Sequence, residues 1–139
     1  MQRAIEIAER GRGKVQPNPL VGCVLVRDGK IIAEGWHGNI GGFHAEQAAI
    51  ADAEERGITT SGSTAYVTLE PCNHHGRTPP CTEALLWAGV ERVIVGALDP
   101  NPTVRGGGLS ALRDVGVSVK NGILEKECKH QMREFIHWC

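Results

Sequence analysis

The run Val21-Gly22-Cys23-Val24-Leu25-Val26 is apolar nearly throughout and has no polar face. A half-exposed strand alternates apolar and polar residues, so a run without alternation must be covered on both sides. The rest of the chain offers helices for both coverings. Met1, Ala4, Ile5 and Ala8 fall at helical spacing before Gly11 and Gly13, and Pro17-Asn18-Pro19 forces an extended approach to the strand. Asp28-Gly29 is a hairpin signal, so Lys30 to Gly35 pairs back as a second strand. Ala45, Ala48, Ala49 and Ala53 line a helix that ends near Gly57, and their small side chains let it lie close against a sheet. Thr64–Leu69, Arg92–Leu98 and Val117–Lys120 read as further strands, separated by helices over Thr82–Ala88 and Leu109–Val115. A last helix carries Leu124, Cys128, Met132, Phe135 and Ile136 on one face. Strands alternating with helices predict one α/β domain with a mixed sheet and helices on both faces.

Composition narrows the function classes. The 139 residues fit one domain, with 41% hydrophobic and 22% charged residues. Fifteen Lys and Arg against sixteen Asp and Glu leave a net charge of −1, without the basic balance of a duplex-binding domain. No apolar run approaches the ~18 residues of a membrane span, and Met1 to Arg12 lacks the apolar core of a signal peptide. Five cysteines, an odd number, argue against a disulfide framework and for a reducing, cytoplasmic setting. There, cysteines bind metal or fill the core.

Two segments carry chemistry: His44-Ala45-Glu46, and Pro71-Cys72 followed after eight residues by Cys81. Catalytic zinc takes three protein ligands from imidazole and thiolate and keeps one position for water. His44, Cys72 and Cys81 provide one nitrogen and two sulfurs in that pattern. Each segment falls where a strand gives way to a helix, and a helix N-terminus favours the Cys81 thiolate. Glu46, in the first turn after His44, is placed to take a proton from an activated water and return it to a substrate nitrogen. The competing reading of Glu46 is an ordinary carboxylate favoured by the helix dipole. Histidine-x-glutamate with a later Pro-Cys…Cys is the zinc deaminase signature, although the usual cysteine gap is two residues.

The thirteen residues Leu69-Glu70-Pro71-Cys72-Asn73-His74-His75-Gly76-Arg77-Thr78-Pro79-Pro80-Cys81 closely resemble the bacterial riboflavin-biosynthesis pyrimidine deaminases, in which the wider spacing is the norm. Pro17-Asn18-Pro19-Leu20-Val21-Gly22-Cys23-Val24, Gly35-Trp36-His37 and Asp99-Pro100-Asn101-Pro102 resemble the same family in the same order, while Phe43 stands where it often has proline. The resemblance implies a cytidine deaminase-like fold, a three-layer α/β/α arrangement with a mixed sheet of roughly five strands. It implies hydrolytic deamination of 2,5-diamino-6-(5-phosphoribosylamino)pyrimidin-4-one to 5-amino-6-(5-phosphoribosylamino)uracil, with Zn2+ on His44, Cys72 and Cys81 and Glu46 as proton carrier. In the usual enzyme a reductase domain follows. Residues 1–139 correspond to the deaminase domain alone, so a stand-alone protein or one half of a longer enzyme is expected, with a reductase fused or separate.

Four further residues are candidates for substrate contact. Asn18 presents a carboxamide fit for a pyrimidine edge, or else makes a turn. His37 is a candidate for the ribosyl-phosphate end or else structural. His74 and Arg77 are candidates for phosphate or ribose, since a guanidinium suits a forked phosphate contact, or else belong to a solvated loop. Asp99 and Asn101 read as turn residues bonding their own backbone. Cys23 and Cys128 read as core, and His130 and His137 as surface or interface. The partners expected are a small phosphorylated pyrimidine and further copies of the chain, with neither nucleic acid nor membrane. Alternatives are a deaminase of another base, nucleoside or nucleotide, a tRNA adenosine deaminase, and a non-catalytic zinc module closed by His74 or His75.

Overall fold

A computed structural model describes residues 1–15, 18–38, 42–73, 80–101 and 103–133. Its first elements are α1 (Gln2–Ala8), a 3-10 turn (Glu9–Gly11), β1 (Gly22–Arg27) and β2 (Lys30–Trp36). Next come α2 (Ala45–Glu55), β3 (Thr64–Leu69), α3 (Cys81–Trp87) and β4 (Arg92–Ala97). The last are α4 (Gly107–Asp114), β5 (Ser118–Lys120) and α5 (Glu125–Gln131). The sheet order is β2-β1-β3-β4-β5. β1 is antiparallel to both its neighbours, whereas β3, β4 and β5 run parallel. Parallel pairing requires crossovers, and α3 and α4 supply them.

The β1–β2 hairpin forms because Asp28 and Gly29 both take positive φ, 54° and 74°, as a tight turn matching the strand twist requires. A register shift between Leu25 and Val26 bends β1 over the core. The apolar run is covered on both faces, as its pattern demands. On one side a Cβ at Gly22 would lie 2.0 Å from the Ala4 carbonyl oxygen of α1, so that glycine lets α1 touch the strand. On the other, a Cβ at Gly35 would lie 2.2 Å from the Ala49 nitrogen of α2. Ala45, Ala49 and Ala53 are fully buried there, and their lack of bulk sets the close approach.

Cys23, Leu25, Val67, Leu85, Val93, Val95, Leu109 and Leu112 join those alanines in the main core between the sheet and α2, α3 and α4. Each fully buried Leu or Val there contributes ~1.5–3 kcal/mol of transfer free energy. α1 and α5 cover the opposite face, where Ala97, Cys128 and Met132 pack with Met1, Ile5 and Leu69. Cys23 and Cys128 are core residues, as expected.

Leu124 departs from expectation. It takes left-handed backbone (φ 54°) ahead of α5 and is 39% exposed, so the apolar face begins at Cys128 and not at Leu124. Helical periodicity extends through a residue whose φ cannot continue a helix. Phe135, Ile136 and His137 lie outside the described residues.

Candidate metal centre and substrate cavity

The C-terminal ends of the parallel strands and the N-termini of α2 and α3 meet at one edge of the sheet, the place where α/β sheets hold ligands. His44 is the N-cap of α2, in extended conformation (φ −70°, ψ 163°). Its backbone N–H donates to the Gln47 side-chain oxygen at 3.0 Å, which holds this first turn closed. Cys81 opens α3 behind Pro80. Cys72 follows β3, and its carbonyl accepts the Thr82 N–H at 3.2 Å, which ties the two cysteine segments together.

The predicted ligands converge. His44 Nδ1 lies 3.7 Å from Cys72 Sγ and 3.3 Å from Cys81 Sγ. All three ligand atoms lie within 4.8 Å of one another. Metal–ligand bonds of about 2.0 Å to nitrogen and 2.3 Å to sulfur, at the tetrahedral angle, put such atoms about 3.5–3.8 Å apart. The donor set, one imidazole and two thiols, is the soft combination that suits zinc.

Protonation in the metal-free protein points the same way. The Cys72 thiol is pulled down to about 4, first because the Cys81 thiol donates to its thiolate, with further support from His44 and the Cys81 backbone N–H at 3.3 Å. The Cys81 thiol is pushed up for the complementary reason, and the His44 ring is raised by its bond to Cys72. A divalent cation bound there would hold both sulfurs as thiolates.

Glu46 sits beside this group, 3% exposed. Burial pushes its carboxyl up to about 7, and the neighbouring Cys72 thiolate adds to the rise. A carboxyl near neutrality can both accept and return a proton.

A cavity of about 240 Å³ opens over these residues, its walls including Asn18, His37, His44, Glu46, Cys72 and Asp99. His37 Nδ1 donates to the Phe43 carbonyl at 3.0 Å, since a carbonyl only accepts. Nε2 is left as acceptor and takes an N–H from Asn18 Nδ2 at 3.2 Å. The two candidates are therefore a pair, with one ring fixing the orientation of the carboxamide. The His37 and His44 rings meet edge to face, 5.7 Å between centroids.

Asp99 and Asn101 make the turn expected of them: Asp99 Oδ1 accepts the Asn101 N–H at 2.9 Å and Asn101 Oδ1 the Thr103 N–H at 3.1 Å. Asp99 also lines the cavity, which sequence reasoning did not assign it. Trp36 lies under the Arg10 guanidinium, 4.9 Å from ring centroid to Cζ. His74, His75 and Arg77 lie outside the described residues. Glu70, unremarked in the sequence, is buried at the cavity wall and accepts four backbone N–H groups.

A mixed five-stranded sheet with a His/Cys/Cys group at the helix N-termini and a buried glutamate beside it defines the class of zinc-dependent deaminase domains. The model of the cytidine and deoxycytidylate deaminase zinc-binding region matches residues 1–97. The chain is 51% identical over 99% of its length to the riboflavin biosynthesis protein RibD of Actinobacillus pleuropneumoniae, of which it covers 36%. It is 48% identical over 98% of its length to the diaminohydroxyphosphoribosylamino-pyrimidine deaminase of Buchnera aphidicola from Schizaphis graminum, covering 90% of that protein. The crystal structure of the Thermotoga maritima diaminohydroxyphosphoribosylaminopyrimidine deaminase/5-amino-6-(5-phosphoribosylamino)uracil reductase superposes with a TM-score of 0.94 at 49% identity, over 99% of this chain and 39% of that one. The chain belongs to the cytidine deaminase-like zinc-binding family and, within it, to the riboflavin-biosynthesis pyrimidine deaminases. It spans about a third of the length of the longer curated relatives.

Proposed function

We propose that this chain deaminates 2,5-diamino-6-(5-phosphoribosylamino)pyrimidin-4-one by hydrolysis, giving 5-amino-6-(5-phosphoribosylamino)uracil and ammonia. The observation that carries the reading is the buried Glu46 carboxyl beside the His44, Cys72 and Cys81 group, at the floor of a cavity of pyrimidine size. His44 and the two thiolates hold Zn2+, which supplies the Lewis acidity that makes water nucleophilic near neutral pH. Glu46 takes the proton that the attacking water gives up and delivers it to the ring nitrogen beside C2. It then takes the proton of the new C2 hydroxyl and passes it to the departing amine as the C2–N bond breaks and the C2 carbonyl forms. Its burial beside the ligand group puts the carboxyl within reach of both transfers.

Asn18 reads the pyrimidine edge with the carboxamide oxygen and the remaining N–H, in the orientation that His37 sets. A site with fixed polar groups rejects a ring that lacks the matching partners. His74 and Arg77 are assigned to the ribosyl phosphate, as the sequence resemblance implies. Residues 1–139 act as the deaminase domain, with the reductase step on a fused or separate partner and further copies of the chain as neighbours. Among the described residues, no helix is long and apolar enough to cross a membrane, which is compatible with the cytoplasmic site proposed.

Product analysis in oxygen-18 water tests the reaction. The reading expects one ammonia per product and one labelled oxygen in the uracil ring. Ammonia without label in the product would overturn the hydrolytic route.

A further inference from the structure

We propose that Glu70 is a positioning residue for the Cys72 ligand and for the Asp99 wall of the cavity. The inference rests on the reading of Cys72 as a metal ligand. Glu70 follows β3, is 6% exposed, and uses both carboxylate oxygens. One accepts the N–H groups of Asp99 at 3.1 Å and Gly106 at 2.9 Å. The other accepts those of Gly108 at 2.9 Å and Leu109 at 3.3 Å. Three of the four donors belong to the start of α4, where backbone N–H groups otherwise lack partners and favour a negative charge.

The clamp joins two strand ends. The Glu70 N–H donates to the Ala97 carbonyl at 2.9 Å, so the residue is tied to β4 through its backbone and to α4 through its side chain. Glycine at 108 is what allows this approach: a Cβ there would lie 2.0 Å from the Pro71 carbonyl oxygen. Pro71 is fully buried, so the backbone entering Cys72 is held on one side by the Glu70 clamp. On the other side it is held by the Thr82 N–H on the Cys72 carbonyl. Cys72 is thereby fixed by contacts that include no metal. Glu70, Cys72 and Asp99 also form the partition between the substrate cavity and a second one of about 220 Å³ lined by Asn73, Thr103 and Val104. A slack clamp would displace a ligand and a cavity wall together.

Glu70→Gln tests this, because one carboxylate oxygen becomes an NH2 group facing two backbone donors. Zinc affinity, measured by competition with a chelator, is compared in the wild type, Glu70→Gln, Glu70→Asp and Leu112→Ala. The last empties a buried position on the same helix without touching the partition. The expected result is a zinc Kd raised about 10-fold or more in Glu70→Gln, a smaller rise in Glu70→Asp, and none in Leu112→Ala. Faster hydrogen exchange at Gly106, Gly108 and Leu109 should accompany the rise. If Glu70→Gln fails to fold, Glu70→Asp against Leu112→Ala decides the matter. Unchanged zinc affinity in folded Glu70 variants, whatever their melting temperature, overturns the positioning role alone. A wild type that binds no zinc overturns the metal reading and this inference with it.

Discussion

Two buried glutamates lie within one small region and are treated in opposite ways. Glu46, 3% exposed, has its own backbone N–H and the Cys81 thiol for company, and burial drives its carboxyl up to about 7. Glu70, 6% exposed, has both oxygens filled by backbone N–H groups of Asp99, Gly106, Gly108 and Leu109. The same side chain is the proposed proton carrier in the first setting and a structural acceptor in the second. What separates them is the supply of fixed donors: a carboxylate with its lone pairs satisfied has no oxygen left for a substrate proton.

The contrast breaks most sharply at the metal. Cys81→Ala should drop the zinc-to-chain ratio from near one to near zero and abolish turnover, read by metal analysis beside ammonia release. Glu46→Gln should keep zinc and fold while lowering turnover roughly 10²–10⁴-fold, the reverse of the Glu70→Gln signature. If both variants lost zinc equally, the division of labour between the two glutamates would fail.

The pH dependence of stability sharpens the comparison. In metal-free protein the Glu46 carboxyl holds its proton to about 7 when folded, against an ordinary value of 4.5. The folded state then binds more protons than the unfolded state between those values, so this group's contribution to stability declines as pH rises through that window. Chemical denaturation across it should show the decline in the wild type and not in Glu46→Gln, so that the difference between the two carries the decline.

Smaller effects probe the scaffold. Gly35→Ala places a Cβ against the backbone of Ala45 and Ala49, pushing out the helix that carries His44 and Glu46. It should cost ~1–3 kcal/mol in unfolding free energy and also slow turnover. Lys129→Ala removes an exposed pair with Glu125, 3.1 Å apart on α5, and should change stability by no more than ~0.5 kcal/mol and turnover not at all.

Local pattern was enough for the parts whose partners lie nearby in the chain. Thr64–Leu69 is a strand over the residues expected, and the Asp28-Gly29 turn forms where its residues require it. His44, Cys72 and Cys81 were readable because metal chemistry restricts residue type so severely. Glu70 was not. It stands inside the quoted cysteine motif, yet its four donors come from 29 to 39 residues downstream. The one trace in the sequence is the run Gly106-Gly107-Gly108, whose need for close backbone approach appears only once α4 is set against Pro71. The pairing of Asn18 with His37 spans 19 residues and is hidden in the same way. Leu124 shows the converse failure, since periodicity alone carries no information about a left-handed φ.

Ammonia release from zinc-loaded protein is the most direct test of the central claim, with the phosphoribosylaminopyrimidine assayed beside cytidine and adenosine and Glu46→Gln as control. The account predicts turnover of the first substrate alone, lost in the control. Turnover of cytidine or adenosine in its place, or activity that survives in Glu46→Gln, would contradict it.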